Sequence, residues 1–198
     1  MLKKFLITLA AIFFATGVLI SSVIRTTAQT SFSRNEIGQV AGETSVQATP
    51  ASSSKVDYFL AYPGILPDHF LYPLKMIRDR IWLFLTWDAL KKAEVLLLFA
   101  DKRLGAGKAL VEGGQEQLGI TTLTKAEKYL ERAILQAEAA KEKKKNTGFF
   151  YEKLEKATLK HEEIITSLLE KVSDQSKSTL EEILSYPKKG HQRVLEKK

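Results

Sequence analysis

The chain has 198 residues and a net charge of +7, from 30 Lys and Arg side chains against 23 Asp and Glu. This length allows one compact domain plus accessory segments. The absence of cysteine excludes disulfides, thiolate catalysis and cysteine-based zinc or iron–sulfur sites. Basic residues are mixed with acidic ones rather than concentrated in one stripe, so we expect no nucleic-acid partner.

The N-terminus has the pattern of a membrane-targeting segment. Lys3 and Lys4 precede an uncharged apolar stretch from Phe5 to Ile24. A helix of that length would span about 30 Å, the thickness of a bilayer's hydrocarbon core. Basic residues before such a stretch favour a cytoplasmic N-terminus and translocation of the chain beyond the stretch. Residues 1–25 are therefore predicted to be a signal anchor or a signal peptide.

Two interpretations of this segment remain open. The apolar stretch is longer than the apolar region of a cleaved signal peptide, and the nearest small-residue cleavage site, Thr26-Thr27-Ala28, comes after the charged Arg25. These features favour an uncleaved anchor, which places a single-pass protein in the cell membrane with its C-terminal domain extracytoplasmic. Cleavage would instead make the domain a secreted one.

A linker and a folded domain are predicted after the anchor. Residues 26–57 are rich in Ser, Thr, Gln and Ala and poor in large apolar side chains, a composition typical of a flexible tether. Aromatic and aliphatic residues become frequent from Tyr58, so we place the helical bundle domain at 58–187. The basic stretch 188–198 is predicted to be a frayed tail.

The first part of the domain combines a turn with an amphipathic helix. Pro63-Gly64 and Pro67 predict a segment that runs extended across a helix pair, with Tyr62, Ile65 and Leu66 as its apolar contacts. A helix should begin near Pro73, because proline is tolerated in a first turn. The apolar side chains that fall on one stripe of this helix, expected to face a core, are Leu74, Ile77, Ile81 and Phe84, widened by Trp82, Leu85 and Trp87.

Four further helices are predicted from capping signals and apolar periodicity. Asp88 is a natural N-cap for the second helix, which Gly113-Gly114 should end. The third, fourth and fifth helices are expected at about Thr121 or Thr122 to Lys143, Phe149 to Val172, and Ser178 to Pro187. Short turns between helices favour antiparallel packing. The predicted fold is therefore all-α, an up-down bundle or helical-hairpin array of four to five helices, preceded by a transmembrane or signal helix.

Few residues are candidates for a polar site. Asp68 and His69 are adjacent in a loop restrained by proline, where a carboxylate and an imidazole could be presented together; a structural role in the loop is the alternative. His161 lies on an apolar seam, which predicts a hydrogen-bonded core residue. Arg78 and Arg80 could bind an anion, or could pair with acidic residues of the neighbouring helix, Glu94 or Asp101.

The order of motifs around the first two helices is similar to a known family. The string LPDHFLYPLK at residues 66–75 is succeeded by RDR at 78–80, by Asp88 and by ADKRL at 100–104. Over roughly residues 62–140 the chain resembles the bacterial domain-of-unknown-function family 5667. The resemblance implies an extracytoplasmic all-α module next to an export or membrane segment. It implies no catalytic residues.

The sequence contains no nucleophile elbow, P-loop or dinucleotide-binding fingerprint. We therefore expect a non-enzymatic protein without a cofactor or a metal site, in which the bundle binds an unknown protein or an anionic envelope polymer and residues 5–24 hold it at the membrane. The alternative hypothesis is a small-ligand or metal-sensing domain that uses the Asp68-His69 loop, with Arg78 and Arg80 nearby.

Overall fold

The computed structural model describes residues 56–198. Five helices and no strand occur in this range: α1 Tyr72–Leu85, α2 Ala89–Glu112, α3 Glu116–Glu142, α4 Gly148–Leu168 and α5 Asp174–Lys197. The prediction of an all-α fold is confirmed for this part of the chain. The predicted anchor at 1–25 and residues 26–55 of the predicted linker lie outside the described residues. None of the helices between residues 56 and 198 is both long and apolar enough to cross a membrane.

Helices α2 and α3 pack against each other along most of their lengths. Two glycines allow the close approach. A Cβ atom on Gly119 would lie 2.6 Å from Cγ2 of Val111 and 3.0 Å from the carbonyl oxygen of Gly107, and a Cβ on Gly107 would lie 2.7 Å from the side chain of Leu123. Any larger residue at either position would therefore push the two helices apart.

Helices α4 and α5 complete the bundle around this pair. One apolar cluster joins α2, α3 and α4 through side chains that are 4% exposed or less, among them Leu97, Phe99, Leu130 and Leu154. A second cluster, towards the other end, includes Leu180 and Ile183 of α5, whose Val194 belongs to the first cluster. Burial of these apolar surfaces supplies most of the stabilisation of the fold, at about 25 cal/mol per Å².

Helix α2 agrees with its predicted bounds and with its predicted central position. The side chain of Asp88 accepts hydrogen bonds from the backbone N–H groups of Leu90 and Lys91, both at 3.0 Å, and therefore caps the helix. Gly113 is the C-cap. More than half of the residues of α2 are buried, because α1, α3 and α4 all contact it.

Two helix boundaries differ from the prediction. Helix α3 begins at Glu116 rather than at Thr121 or Thr122, because the turn is completed within Gly113–Gln115, where Gly114 adopts a φ of +80°. Helix α4 ends at Leu168 rather than at Val172. The backbone N–H of Lys171 bonds to the Leu168 carbonyl at 2.9 Å in a tight turn, and Val172 is buried beyond it.

The last helix differs most from the prediction. Helix α5 begins at Asp174 rather than at Ser178 and continues through Pro187 to Lys197, so the prediction of a helix stop at Pro187 and of a frayed tail after it is wrong. A proline inside a helix costs about 3 kcal/mol. Contacts beyond it offset this cost: Val194 is fully buried, and Arg193 Nη2 lies 2.7 Å from Glu138 Oε2 of α3.

The segment before α1 lies across the bundle, but through other residues than predicted. Tyr62 is 83% exposed, whereas Tyr58 and Leu60 pack against the two apolar clusters. The backbone N–H of Val56 donates to Glu163 Oε2 of α4 at 2.9 Å. Residues 56–60 therefore attach the beginning of the described chain to the bundle.

Candidate interaction surface

Helix α1 presents its apolar stripe to solvent. Leu74, Ile77, Ile81 and Phe84, which the sequence pattern predicts to face the core, are 66%, 57%, 53% and 75% exposed. The residues of α1 that are buried are Asp79 and Leu83. At about 100° per residue these two lie on the side of the helix opposite to Ile77 and Ile81. The predicted inward orientation of the stripe is therefore wrong.

A buried ion pair explains this orientation. Asp79 and Arg103 of α2 are 2% and 4% exposed, and Arg103 Nη2 lies 3.4 Å from Asp79 Oδ2. The same guanidinium lies 4.2 Å from the ring centroid of Tyr129 and donates to the Phe99 carbonyl at 3.2 Å. Because leaving either charge buried without its partner is costly, the pair turns the polar side of α1 inward.

Further apolar residues extend the exposed stripe. Trp82 is 44% exposed, Leu85 63% and Trp87 86%, and these two tryptophans are the only ones in the 198-residue sequence. We call the exposed apolar residues of α1 and the adjoining turn the α1 surface: Leu74, Ile77, Ile81, Trp82, Phe84, Leu85 and Trp87. Single exposed apolar residues are normal on proteins, whereas a larger exposed apolar patch is a candidate interaction site.

Basic side chains border the α1 surface on both sides. The groove on one side of the helix is lined by Arg80 together with Lys92 and Arg132. The groove on the other side is lined by Lys75, Arg78 and Lys102. Among the described residues that line these two grooves there is no Asp or Glu. The rim of the α1 surface is therefore positively charged.

Lys75 also ties α1 to the segment that precedes it. Its ammonium group donates to the carbonyl oxygens of Pro63 and Ile65, at 2.7 and 2.9 Å. Partial burial lowers the pKa of Lys75, although the nearby Asp79 opposes the shift. Gly64 adopts a φ of +68° between the two carbonyl groups, which favours glycine at that position.

Asp68 and His69 are both exposed, and the side chain of each accepts a hydrogen bond. Asp68 Oδ2 accepts from the side-chain amide of Gln115 at 3.0 Å. His69 Nδ1 accepts from the backbone N–H of Leu71 at 3.1 Å, and its ring stacks on Phe70 at 4.8 Å. No group of three or more potential ligand side chains suited to a metal ion occurs among the described residues. A ligand-binding role for the loop stays a prediction.

Arg78 and Arg80 do not have the partners suggested by the sequence. Arg78 Nη2 pairs with its neighbour Asp79 at 2.8 Å, and Arg80 lines the groove with Lys92. Asp101, one of the expected partners, is engaged elsewhere. The proposed pairing of these arginines with Asp101 is therefore wrong, and both guanidinium groups belong to the rim of the α1 surface.

His161 forms the centre of a buried polar network. Its side chain is fully buried between α2, α3 and α4, as predicted for a hydrogen-bonded core histidine. Nδ1 lies 2.7 Å from Glu127 Oε1, and Nε2 lies 3.2 Å from Asp101 Oδ1. Tyr58 from the segment before α1 donates its hydroxyl to Asp101 Oδ2 at 2.7 Å. We call these four residues the His161 network.

The charges of this network stabilise one another. Burial by itself lowers the pKa of His161, but the charge of Glu127 and the hydrogen bonds to both carboxylates outweigh it and raise the pKa to about 9. At neutral pH the ring is therefore an imidazolium that donates from both nitrogens. Burial, together with the charge of Asp101, raises the pKa of Tyr58, so its hydroxyl stays protonated.

The sequence pattern also contained a signal for the partners of His161. Asp101 stands between Leu97 and Leu104 at four- and three-residue steps, in a stripe that is otherwise apolar. Glu127 has the same spacing between Leu123 and Leu130. An acidic side chain at such a position requires a buried cationic partner, and His161 is a suitable one.

Comparison with known proteins gives one match. The model of a family described as Domain of unknown function (DUF5667) matches residues 64–175, which is more than half of the chain and includes α1 to α4 and the first residues of α5. The match extends beyond residue 140, where the resemblance noted in the sequence ended. No curated protein matches the chain, and no solved structure does. The resemblance noted in the sequence is confirmed, and the chain belongs to the DUF5667 family.

Proposed function

We propose that this protein is a membrane-tethered extracytoplasmic helical domain that acts as a non-catalytic interaction module and binds its partner through the α1 surface. The observation that carries the proposal is the exposure of six large apolar side chains on α1 and of Trp87 just after it. A soluble domain that exposed them permanently to water would lose the free energy of burying them and would tend to aggregate.

The attachment of α1 to the bundle supports the same proposal. Helix α1 contacts only α2 among the helices, and its buried side is limited to Asp79 and Leu83 with partial contributions from Met76. The ion pair with Arg103 holds the helix in a defined orientation without using the apolar stripe. A helix held in this way is available for a partner, because binding needs no rearrangement of the core.

The tethering part of the proposal is supported by the sequence. Lys3 and Lys4 ahead of the apolar stretch from Phe5 to Ile24 are typical of a signal anchor, and the Ser/Thr-rich composition of residues 26–57 is typical of a tether. A tethered domain has a high effective concentration near the membrane, so a weak docking surface is sufficient there.

A photocrosslinking experiment in intact cells tests the proposal. A benzophenone amino acid replaces Phe84 of the α1 surface in the full chain, and in the control it replaces Phe149 of α4, which is 83% exposed but lies outside that surface. We expect a crosslinked adduct from position 84 and little from position 149. Protease added outside the inner membrane should degrade the domain. Absence of any adduct specific to position 84, or protection of the domain from the protease, would contradict the proposal.

A further inference from the structure

We infer that the α1 surface docks on the interface of a lipid bilayer that contains anionic lipids. The inference rests on the proposed function: it identifies the membrane itself as the partner that the interaction module binds. Three independent features of the described residues carry it: the direction of the apolar stripe, the positions of the basic side chains around it, and the aromatic residues at its end.

The apolar side chains of α1 face outward, as docking on the acyl region of a bilayer requires. On a helical projection Phe84, Ile77, Ile81, Leu74 and Leu85 fall within an arc of about 100° that points away from the bundle. All five side chains are more than half exposed. An apolar arc that faces outward along the whole length of a helix is the arrangement of helices that lie in the plane of a membrane interface.

The basic residues stand where lipid headgroups would contact them. Arg80, Lys92 and Arg132 line the groove on one side of α1, and Lys75, Arg78 and Lys102 line the groove on the other side. With the apolar arc in the acyl region, the long side chains of Arg80, Lys92 and Arg132 on one side and of Lys102 on the other reach back to the headgroup layer. Lys75 is bonded to the Pro63 and Ile65 carbonyls and Arg78 to Asp79, so these two contribute mainly through their charge. Each cation near an anionic surface contributes about a fivefold increase in binding.

The aromatic residues favour a lipid interface further. Trp82 and Trp87 both belong to the α1 surface, with Phe84 between them. Tryptophan prefers the boundary between the headgroups and the acyl chains, because its ring is apolar and its indole N–H can still bond to polar groups. Trp87 is 86% exposed and lies directly after α1, where the chain turns into α2.

Charge argues against a second copy of this chain as the partner. Two α1 surfaces packed face to face would bring Arg80 and Lys92 of both copies close together, and no Asp or Glu of the described chain lines the groove that holds them. An acidic protein partner would satisfy the charges. The two tryptophan rings at the boundary of the apolar arc favour a lipid interface over such a partner, and the test below distinguishes the two partners.

The test uses tryptophan fluorescence of the full chain reconstituted in vesicles. Because the chain has only Trp82 and Trp87, its emission reports on the α1 surface alone, even if another part of the chain also inserts into lipid. In vesicles of phosphatidylcholine and phosphatidylglycerol we expect a blue-shifted emission maximum and strong quenching by lipids with brominated acyl chains. In vesicles of phosphatidylcholine alone we expect less of both.

Two sets of variants sharpen the test. Quenching by brominated lipid should fall in the Phe84→Ser variant and in the Arg80→Gln/Lys92→Gln variant. For the second variant, the ratio of membrane-docked to undocked α1 surface should fall about fivefold for each cation removed. The matched controls are Phe149→Ser and Lys153→Gln/Lys156→Gln on α4, an exposed apolar residue with two exposed lysines nearby. These controls should leave the quenching unchanged.

Three results would overturn the inference, and each has a distinct meaning for the proposed function. Tryptophans that stay unquenched by brominated lipid, together with a protein adduct from the benzophenone at position 84, show a protein partner and leave the interaction module intact. An adduct between two copies of this chain shows self-association. Unquenched tryptophans without any adduct at position 84 overturn both the lipid inference and the proposed function.

Discussion

The α1 surface and the His161 network distribute polarity in opposite ways. On α1 and just after it seven large apolar side chains are exposed to water, whereas the helix buries the carboxylate of Asp79. Inside the bundle, a fully buried position among α2, α3 and α4 holds the imidazole of His161 with two carboxylates. Both regions depart from the usual arrangement of apolar residues inside and charges outside.

The difference lies in where each region finds its partner. In the His161 network the imidazolium donates to both Glu127 and Asp101, and Tyr58 donates to Asp101, so the partners of His161 lie within the described chain; Glu127 Oε2 has no hydrogen-bond partner there. On α1, by contrast, the Trp82 ring packs edge-on against Phe99 of α2, and the other large apolar side chains of the stripe stay more than half exposed. A buried network whose partners lie within the bundle is a structural feature, whereas the exposed apolar surface of α1 is the basis of the interaction proposed above.

Removal of the buried histidine should give the largest effect. His161→Ala leaves Asp101 and Glu127 buried without a cation, and we expect the free energy of unfolding to fall by about 3–5 kcal/mol. Urea unfolding of the purified full chain, monitored by circular dichroism, measures it. His69→Ala is the control, because His69 is exposed and should change stability by less than about 0.5 kcal/mol. Equal effects of the two variants would show that the network contributes little.

The same network should make stability depend on pH. The folded-state pKa of His161, about 9, lies above its unfolded value of 6.5, so the stabilisation by the imidazolium is complete below about pH 6.5 and is lost as the pH rises through 9. The loss should be smaller than that caused by His161→Ala. Unfolding of the wild-type chain at a series of pH values measures this loss of stability. In His161→Asn the part of the pH dependence that comes from the imidazolium should disappear. A wild-type profile that rises over this range would contradict the assignment.

Adjacent residues of α1 should differ sharply in their effects on stability. Leu83 is 8% exposed and packs on the first apolar cluster, so Leu83→Ala should cost about 2 kcal/mol of unfolding free energy. Phe84 is 75% exposed, and Phe84→Ala should cost less than about 0.5 kcal/mol while weakening binding through the α1 surface. Chemical unfolding compares them. A large loss on Phe84→Ala would show that the surface is covered within the chain itself.

Two glycine variants of α2 should show the smallest difference in the free energy of unfolding. Gly107→Ala places a Cβ 2.7 Å from the side chain of Leu123 and 3.1 Å from the Gly119 carbonyl oxygen, and should cost about 1 kcal/mol in spite of the better helix propensity of alanine. Gly105→Ala, two residues earlier on α2, meets Pro63 at an ordinary 3.6 Å and should be neutral or stabilising. Thermal unfolding of both variants tests whether α2 and α3 are in close contact at Gly107.

Local signals in the sequence predicted the architecture well where they act within one helix. Asp88 caps α2 and Gly113 ends it, as expected from the preference of these residue types at helix termini. The end of α5 was mispredicted, because the rule that proline ends a helix is a local one. It does not include the burial of Val194 or the pairing of Arg193 with Glu138 beyond Pro187.

The candidate site was predicted only in part, and for a similar reason. The spacing of Leu74, Ile77, Ile81 and Phe84 showed that α1 has an apolar stripe, and Arg78 and Arg80 were recognised as a cationic pair. The direction of the stripe depends on Arg103, which is 24 residues from Asp79 in the sequence and contacts it only after α1 and α2 pack. A helical pattern shows which residues share a side of a helix and not what that side contacts.

The amino-acid sequence by itself determined the all-α class, the bounds of the central helix, the buried role of His161 and the family resemblance, because these depend on periodicity, capping preferences and the order of motifs along the chain. Only the tertiary structure decided which side of α1 is buried and which acids surround His161. Those outcomes depend on pairs of charges brought together from different helices, and the cost of burying a charge without its partner settles them.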